Sequence, residues 1–186
     1  MAWYHEFTTA NSTSIQKQKT ISRPRWSPPI RGTFKLNVDG AFLHNGTDGG
    51  IGGIVRDSQG SAIACFAHHI SYVNSPKQVE LEAIKTALQW LLQLGYHQCE
   101  VQPDCESAVA DIHAPDYLQL EYGNILADIQ HSFDSLQHAQ VTYAPRTINI
   151  VLHKLASLAF EGSEQLEWLD SIPLLLRDTL SYDCNL

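Results

Sequence analysis

The chain has 186 residues, 44% of them hydrophobic, which is enough for one domain with a real core. Its net charge of −8 argues against indiscriminate nucleic-acid binding, and no apolar run is long enough to span a bilayer. Lys17, Lys19, Arg23, Arg25 and Arg31 against Glu6 leave the first 31 residues at +4, so the remainder holds −12. A body that acidic needs a metal, a localised basic spot or a partner before it can approach phosphates. Cys65, Cys99, Cys105 and Cys184 have no zinc spacing and read as free thiols of a reducing compartment, nucleus or cytoplasm.

Residues 1–30 are rich in Ser, Thr, Gln and Pro without hydrophobic periodicity and read as a flexible leader. A solvated tail and an organelle transit peptide both fit that composition. The domain proper is expected over 31–160, followed by an acidic and apolar extension over 161–186.

The first strand is Phe34–Phe42. Phe34, Leu36 and Val38 alternate with Lys35, Asn37 and Asp39, the signature of a strand with one buried face. Asp39 is then a carboxylate in mid-strand, where Asp is uncommon. Residues 51–56 and 61–72 follow as strands, joined by the hairpin turn Asp57-Ser58-Gln59-Gly60 in an antiparallel meander. Gly49, Gly50, Gly52 and Gly53 weaken the second strand and signal a bulge or a close approach to the backbone.

Ser75-Pro76-Lys77-Gln78 is a helix start with a Ser cap, Pro in the first turn and Gln in capping-box position; Gly95 is the stop. Stepping back by four along the stripe of Ile84, Ala87, Leu88 and Leu91 lands on Glu80, whereas Glu82 falls on the outer face with Lys85. A carboxylate on the buried stripe must be paired, protonated or bound to a metal, and no basic residue nearby in the sequence is an obvious partner. Residues 99–102 form a short strand ending at Asp104, at the carboxyl end where functional side chains gather. Helices over 107–113 and 117–136, a fifth strand over 139–144 and a final helix over about 149–160 complete the pattern.

This order, with Lys35-Leu36-Asn37-Val38-Asp39-Gly40-Ala41-Phe42, Gly52-Gly53-Ile54-Val55-Arg56-Asp57-Ser58-Gln59-Gly60, Val79-Glu80-Leu81-Glu82-Ala83, Asp104, Ala144-Pro145-Arg146 and Asn149, resembles type 1 ribonuclease H. It is most similar to the plant ribonuclease H-like domains related to retrotransposon reverse transcriptases. The resemblance spans about residues 26–160. It implies an α/β fold in which a five-stranded mixed sheet, three strands antiparallel and two parallel, is flanked by helices.

It further implies a metal-dependent endonuclease that hydrolyses the RNA strand of RNA/DNA hybrids with Mg²⁺, or Mn²⁺ in its place. Asp39, Glu80 and Asp104 would hold the ions. Ser75 would contact a DNA phosphate, although a helix cap explains it equally well. Gly40 and Gly52, on the first two strands, would lie against the substrate, the backbone of the second reading RNA 2′-hydroxyls. Two positions depart from the family: the fourth carboxylate is His153, beside Lys154, and a histidine of the flexible loop is Tyr143. His153 is either a ligand or proton-transfer group, or a surface residue at a decayed position. The competing function is accordingly a catalytically inactive, retroelement-derived module that binds nucleic acid or protein. A 3′–5′ exonuclease on a related fold is a third class, for which no terminus-binding pocket is marked.

Overall fold

The computed structural model describes residues 26–43, 46–148, 150–161, 165–170, 172–174, 176 and 180. In chain order they form β1 (Phe34–Phe42), β2 (Asp48–Arg56), β3 (Ala62–Ser71), α1 (Pro76–Leu94), β4 (Gln98–Pro103), α2 (Glu106–Ile112), α3 (Gly123–Ser135), β5 (His138–Val141), α4 (Ile150–Glu161) and β6 (Gln165–Leu169). The sheet order is β5-β4-β1-β2-β3-β6. The meander β1–β2–β3 is antiparallel, and β4 and β5 join β1 in parallel, as expected of the ribonuclease H-like α/β fold.

One face of the sheet packs α1, with α2 and α3 outside it, around Leu36, Val38, Phe66, Leu81, Leu88 and Leu126. The other face packs α4 through Val151, Leu152, Leu155 and Ala159 against Ile54, Cys65 and Ala67. The predicted stripe of α1 is wider than expected, since Val79, Leu81, Ala83 and Trp90 are buried with it. Helices α1 and α3 roof the same face, so more than one edge of α1 meets apolar surface. Burying each Leu, Ile or Val contributes ~1.5–3 kcal/mol relative to exposure. The caps of α1 form as predicted: Ser75 accepts from the Gln78 N–H at 3.1 Å, and Gly95 closes the helix at φ 75°. Gln78 Oε1 reaches back to the Asn74 N–H at 2.8 Å.

Four expectations are corrected. The described residues form six strands, because part of the C-terminal extension pairs with β3: Leu166 and Trp168 lie opposite Ala67 and Cys65 and join the α4-side core. The helix expected over 117–136 is broken into a 3-10 turn at Tyr117–Gln119 and α3. The break lies at Gly123, where a Cβ would stand 2.6 Å from the Leu118 carbonyl oxygen. Trp26, expected within the leader, packs on the domain. Trp26 is 7% exposed, its Nε1 donates to Asn37 Oδ1 at 2.8 Å, and its ring lies 4.5 Å from the Arg56 guanidinium and 5.5 Å from Lys35 Nζ.

Finally, β1 is buried on both faces. Lys35 and Asn37 lie beside Trp26, where Lys35 Nζ reaches the Ser27 carbonyl at 2.8 Å and Glu100 at 3.3 Å. Alternation alone predicts one solvated face; here an N-terminal strap covers Lys35 and Asn37 on it. Cys65, Cys99 and Cys105 are free thiols. Residues 1–25, His44, Asn149 and Cys184 lie outside the described residues.

Candidate active site

The parallel pairing of β1 with β4 ends at Val38 and Pro103, so the next residues, Asp39 and Asp104, emerge side by side. The third carboxylate arrives by a close approach of helix to strand. A Cβ on Gly40 would stand 2.8 Å from Val79 Cγ1 and 3.0 Å from the Val79 carbonyl oxygen, so only glycine lets α1 rest directly on β1 there. Glu80 follows Val79 and is thereby brought to the same point. Ligand oxygens of Asp39, Glu80 and Asp104 all lie within 4.8 Å of one another. Glu82, on the outer face, pairs with Lys85 instead.

Three acids this close oppose one another's ionisation. Burial, followed by Asp104, pushes Asp39 up to about 6, against the pull of His153, Arg146 and a hydrogen bond from the Gly40 N–H. Burial, then Asp39 and Asp104, pushes Glu80 up to about 9, again opposed by Gly40 and Arg146. Asp104 is raised by burial and held back by Arg146 and His153. Glu80 Oε2 and Asp104 Oδ2 are buried without a hydrogen-bond donor. Unsatisfied, converging carboxylate oxygens are a hard donor set, and they fit a hard divalent cation.

Two further groups border the cluster. His153, on α4, places Nδ1 3.5 Å from Asp39 Oδ2, with its side chain 59% exposed. Arg146, in a 3-10 turn before α4, places Nε 3.9 Å from Asp104 Oδ2 and is itself largely solvent-exposed. Arg146 is the cation that the sequence near Glu80 does not show. Its only local signal is the Pro145-Arg146 step just ahead of the last helix.

The other expected site residues divide. Ser75 caps α1 and its Oγ also shares a 2.7 Å hydrogen bond with the Tyr122 hydroxyl. Tyr143 is exposed on the segment after β5. Gly40, in β1 where α1 rests on it, holds the Asp39 and Glu80 carboxylates through its N–H. Gly52 is placed in the sheet under α4. It is buried, bonded on both sides to β1 and β3, and a Cβ there would meet Leu155 Cβ at 2.7 Å and Ala156 N at 2.8 Å. The close approach that its glycine signals is that of α4.

Comparison with solved structures gives ribonuclease H1 of the halophilic archaeon Halobacterium salinarum NRC-1, with a TM-score of 0.61 and 19% identity over 70% of this chain and 98% of that one. LC11 ribonuclease H1, isolated from compost by a metagenomic approach, has a TM-score of 0.62 and 21% identity over 69% and 96%. The same enzyme in complex with an RNA/DNA hybrid has a TM-score of 0.60 and 20% identity over 69% and 97%. Curated protein sequences yielded no match. The sequence profile described as reverse transcriptase-like matches residues 37–159, from Asn37 in β1 to Ala159 in α4. With that match spanning both faces of a ribonuclease H fold, the chain belongs to the reverse transcriptase-like family.

Proposed function

We propose that the protein is a divalent-metal-dependent endonuclease that hydrolyses the RNA strand of RNA/DNA hybrids. The observation carrying this reading is the meeting of Asp39, Glu80 and Asp104 within 4.8 Å, two of them with buried oxygens that lack donors. The substrate class is suggested by the likeness to LC11 ribonuclease H1, which is known in complex with an RNA/DNA hybrid.

In this reading the three carboxylates hold Mg²⁺, or Mn²⁺ in its place. Such ions supply a water acidic enough to attack at neutral pH and offset charge on the phosphate and leaving oxygen. The chain's own groups do the rest. The Gly40 N–H fixes the Asp39 and Glu80 carboxylates. Because Asp39 and Glu80 ionise late, they shed protons as a cation enters. Arg146, at the rim beside Asp104, offers a guanidinium to an incoming phosphate. His153, open to solvent and 3.5 Å from Asp39, can pass a proton between the cluster and bulk water. Ser75 stands at the N-terminal end of α1, where the helix dipole favours a strand phosphate.

The second reading, a non-catalytic retroelement-derived module binding nucleic acid or protein, is favoured by one observation. The residue that α4 sets beside Asp39 is His153, a histidine that brings no negative charge there. The full chain incubated with a hybrid labelled on its RNA strand, in Mg²⁺ and in Mn²⁺, separates the two. RNA cleavage that Asp39→Asn abolishes supports the enzyme. Binding without cleavage in either metal overturns it.

A further inference from the structure

Between β3 and α1 the chain makes one strained step. Tyr72 has φ 64°, the left-handed region that costs an L-residue free energy and that Gly or Asn enters more cheaply. Both flanks explain why the backbone cannot relax. Ser71 is paired with Asp48 at the end of the sheet, and Val73 is buried with its N–H bonded to the Thr47 carbonyl at 2.8 Å. Asn74 is then held by Gln78, and Ser75 caps α1. Tyr72 is 85% exposed, so the ring buries little surface in return among the described residues. A large aromatic group is kept in solvent at a position that the backbone would rather give to a smaller residue. Such strain gathers at functional sites.

Its position suits a nucleic-acid strand. Asp39 is paired with Gly52 and Gly52 with Ala67, so Tyr72 lies five residues beyond the level of Asp39 along β3. At roughly 3.3 Å per residue that is ~16 Å, or about five nucleotides of a strand rising ~3.4 Å each. It also lies three residues before Ser75, at the end of the helix that carries Glu80. Two lysines of α1 are already engaged, Lys77 with Asp111 and Lys85 with Glu82, and Arg146 stands apart at the rim of the carboxylate cluster. A polyanion therefore has few cations to bind by counterion release, and contacts that do not depend on charge matter more. A ring face supplies one.

We propose that Tyr72 is a nucleic-acid-binding residue, its ring packing against a sugar face of a bound hybrid to one side of the carboxylate cluster. The inference rests on the hybrid-nuclease reading above. The test uses the full chain carrying Asp39→Asn, so that substrate is not consumed, and a fluorescent hybrid of about 18 base pairs, which exceeds the ~16 Å span several-fold. Adding Tyr72→Asn should raise Kd by about five- to tenfold, the lower end of aromatic stacking effects, while Tyr72→Phe stays within about twofold of the parent. The thermal midpoint of Tyr72→Asn should be unchanged or higher, because the strain is relieved. The slope of log Kd against log salt should not change, since no charge is lost. If the parent binds hybrid and Tyr72→Asn binds equally well, the inference fails and the hybrid-nuclease reading stands. If the parent binds no hybrid, both fail. A Tyr72→Asn midpoint several degrees lower would make the ring structural and overturn the proposal. So would a larger loss of affinity for single-stranded probes than for the hybrid.

Discussion

Replacing Glu80 by Gln should make the protein more stable and inactive at once. Its carboxyl titrates at about 9 in the fold against an ordinary 4.5, with burial as the first cause and Asp39 and Asp104 next. A folded-state pKa raised in this way means that the native state binds the proton more tightly than the unfolded chain. Stability from this group is therefore fully present below about pH 4.5 and declines as pH rises toward 9. At pH 7, some 2.5 units above the ordinary value, the cost is on the order of 3 kcal/mol at ~1.36 kcal/mol per unit. Gln has the same shape, carries no proton to lose and keeps an acceptor for the Gly40 N–H. Without metal, Glu80→Gln should gain about 2–3 kcal/mol at pH 7, or roughly 5–10 °C in midpoint for a chain of this size.

The assay is thermal unfolding in a chelator from about pH 5 to 9, alongside hybrid cleavage in Mg²⁺ and Mn²⁺. The advantage of the variant should widen with pH, and its cleavage should vanish with the ligand. Glu82→Gln is the control: it loses only the pair with Lys85, worth ~0.3–0.5 kcal/mol, and keeps its activity. Equal behaviour of the two variants, or a Glu80→Gln protein no more stable than the parent at pH 7, would refute the buried-carboxylate account.

On the hybrid-nuclease reading, His153→Asp should place a negative charge beside Asp39, raising the Mg²⁺-supported rate by roughly tenfold and narrowing the gap to Mn²⁺, which accepts imidazole more readily; steady-state cleavage in each metal checks this. Trp26→Ala removes a buried ring and strands Asn37 Oδ1, and should cost about 3–5 kcal/mol in urea unfolding, whereas deleting residues 1–25 should leave the midpoint almost unchanged. Gly52→Ala should destabilise by ~1–3 kcal/mol, since its Cβ would stand 2.7 Å from Leu155 Cβ; parental stability in the same titration would mean that α4 does not rest on β2 as described.

The carboxylates of the candidate site were legible from local pattern. Asp39 sits in mid-strand and Glu80 on an apolar helical stripe, misfits that show within a few residues of sequence, whereas Asp104 is marked by its place at the carboxyl end of a strand. The start and stop of α1 were legible for the same reason, since Ser75 and Gly95 act on backbone groups three to four residues away. His153 came from the spacing of a family resemblance rather than from any periodicity.

What the tertiary structure alone decided are the relations between segments far apart in the chain. That Asn37 is buried depends on Trp26 lying over β1, eleven residues back; that Gly52 is packing rather than surface depends on α4, a hundred residues on. Arg146 becomes a partner of Asp104 only when the turn before α4 folds over the end of β4. The sixth strand exists because Leu166 and Trp168 find Ala67 and Cys65 at an open sheet edge, and five residues of alternating sequence do not reveal which edge awaits them. Periodicity records which face of an element is apolar; what covers the other face is a property of the chain that returns to it.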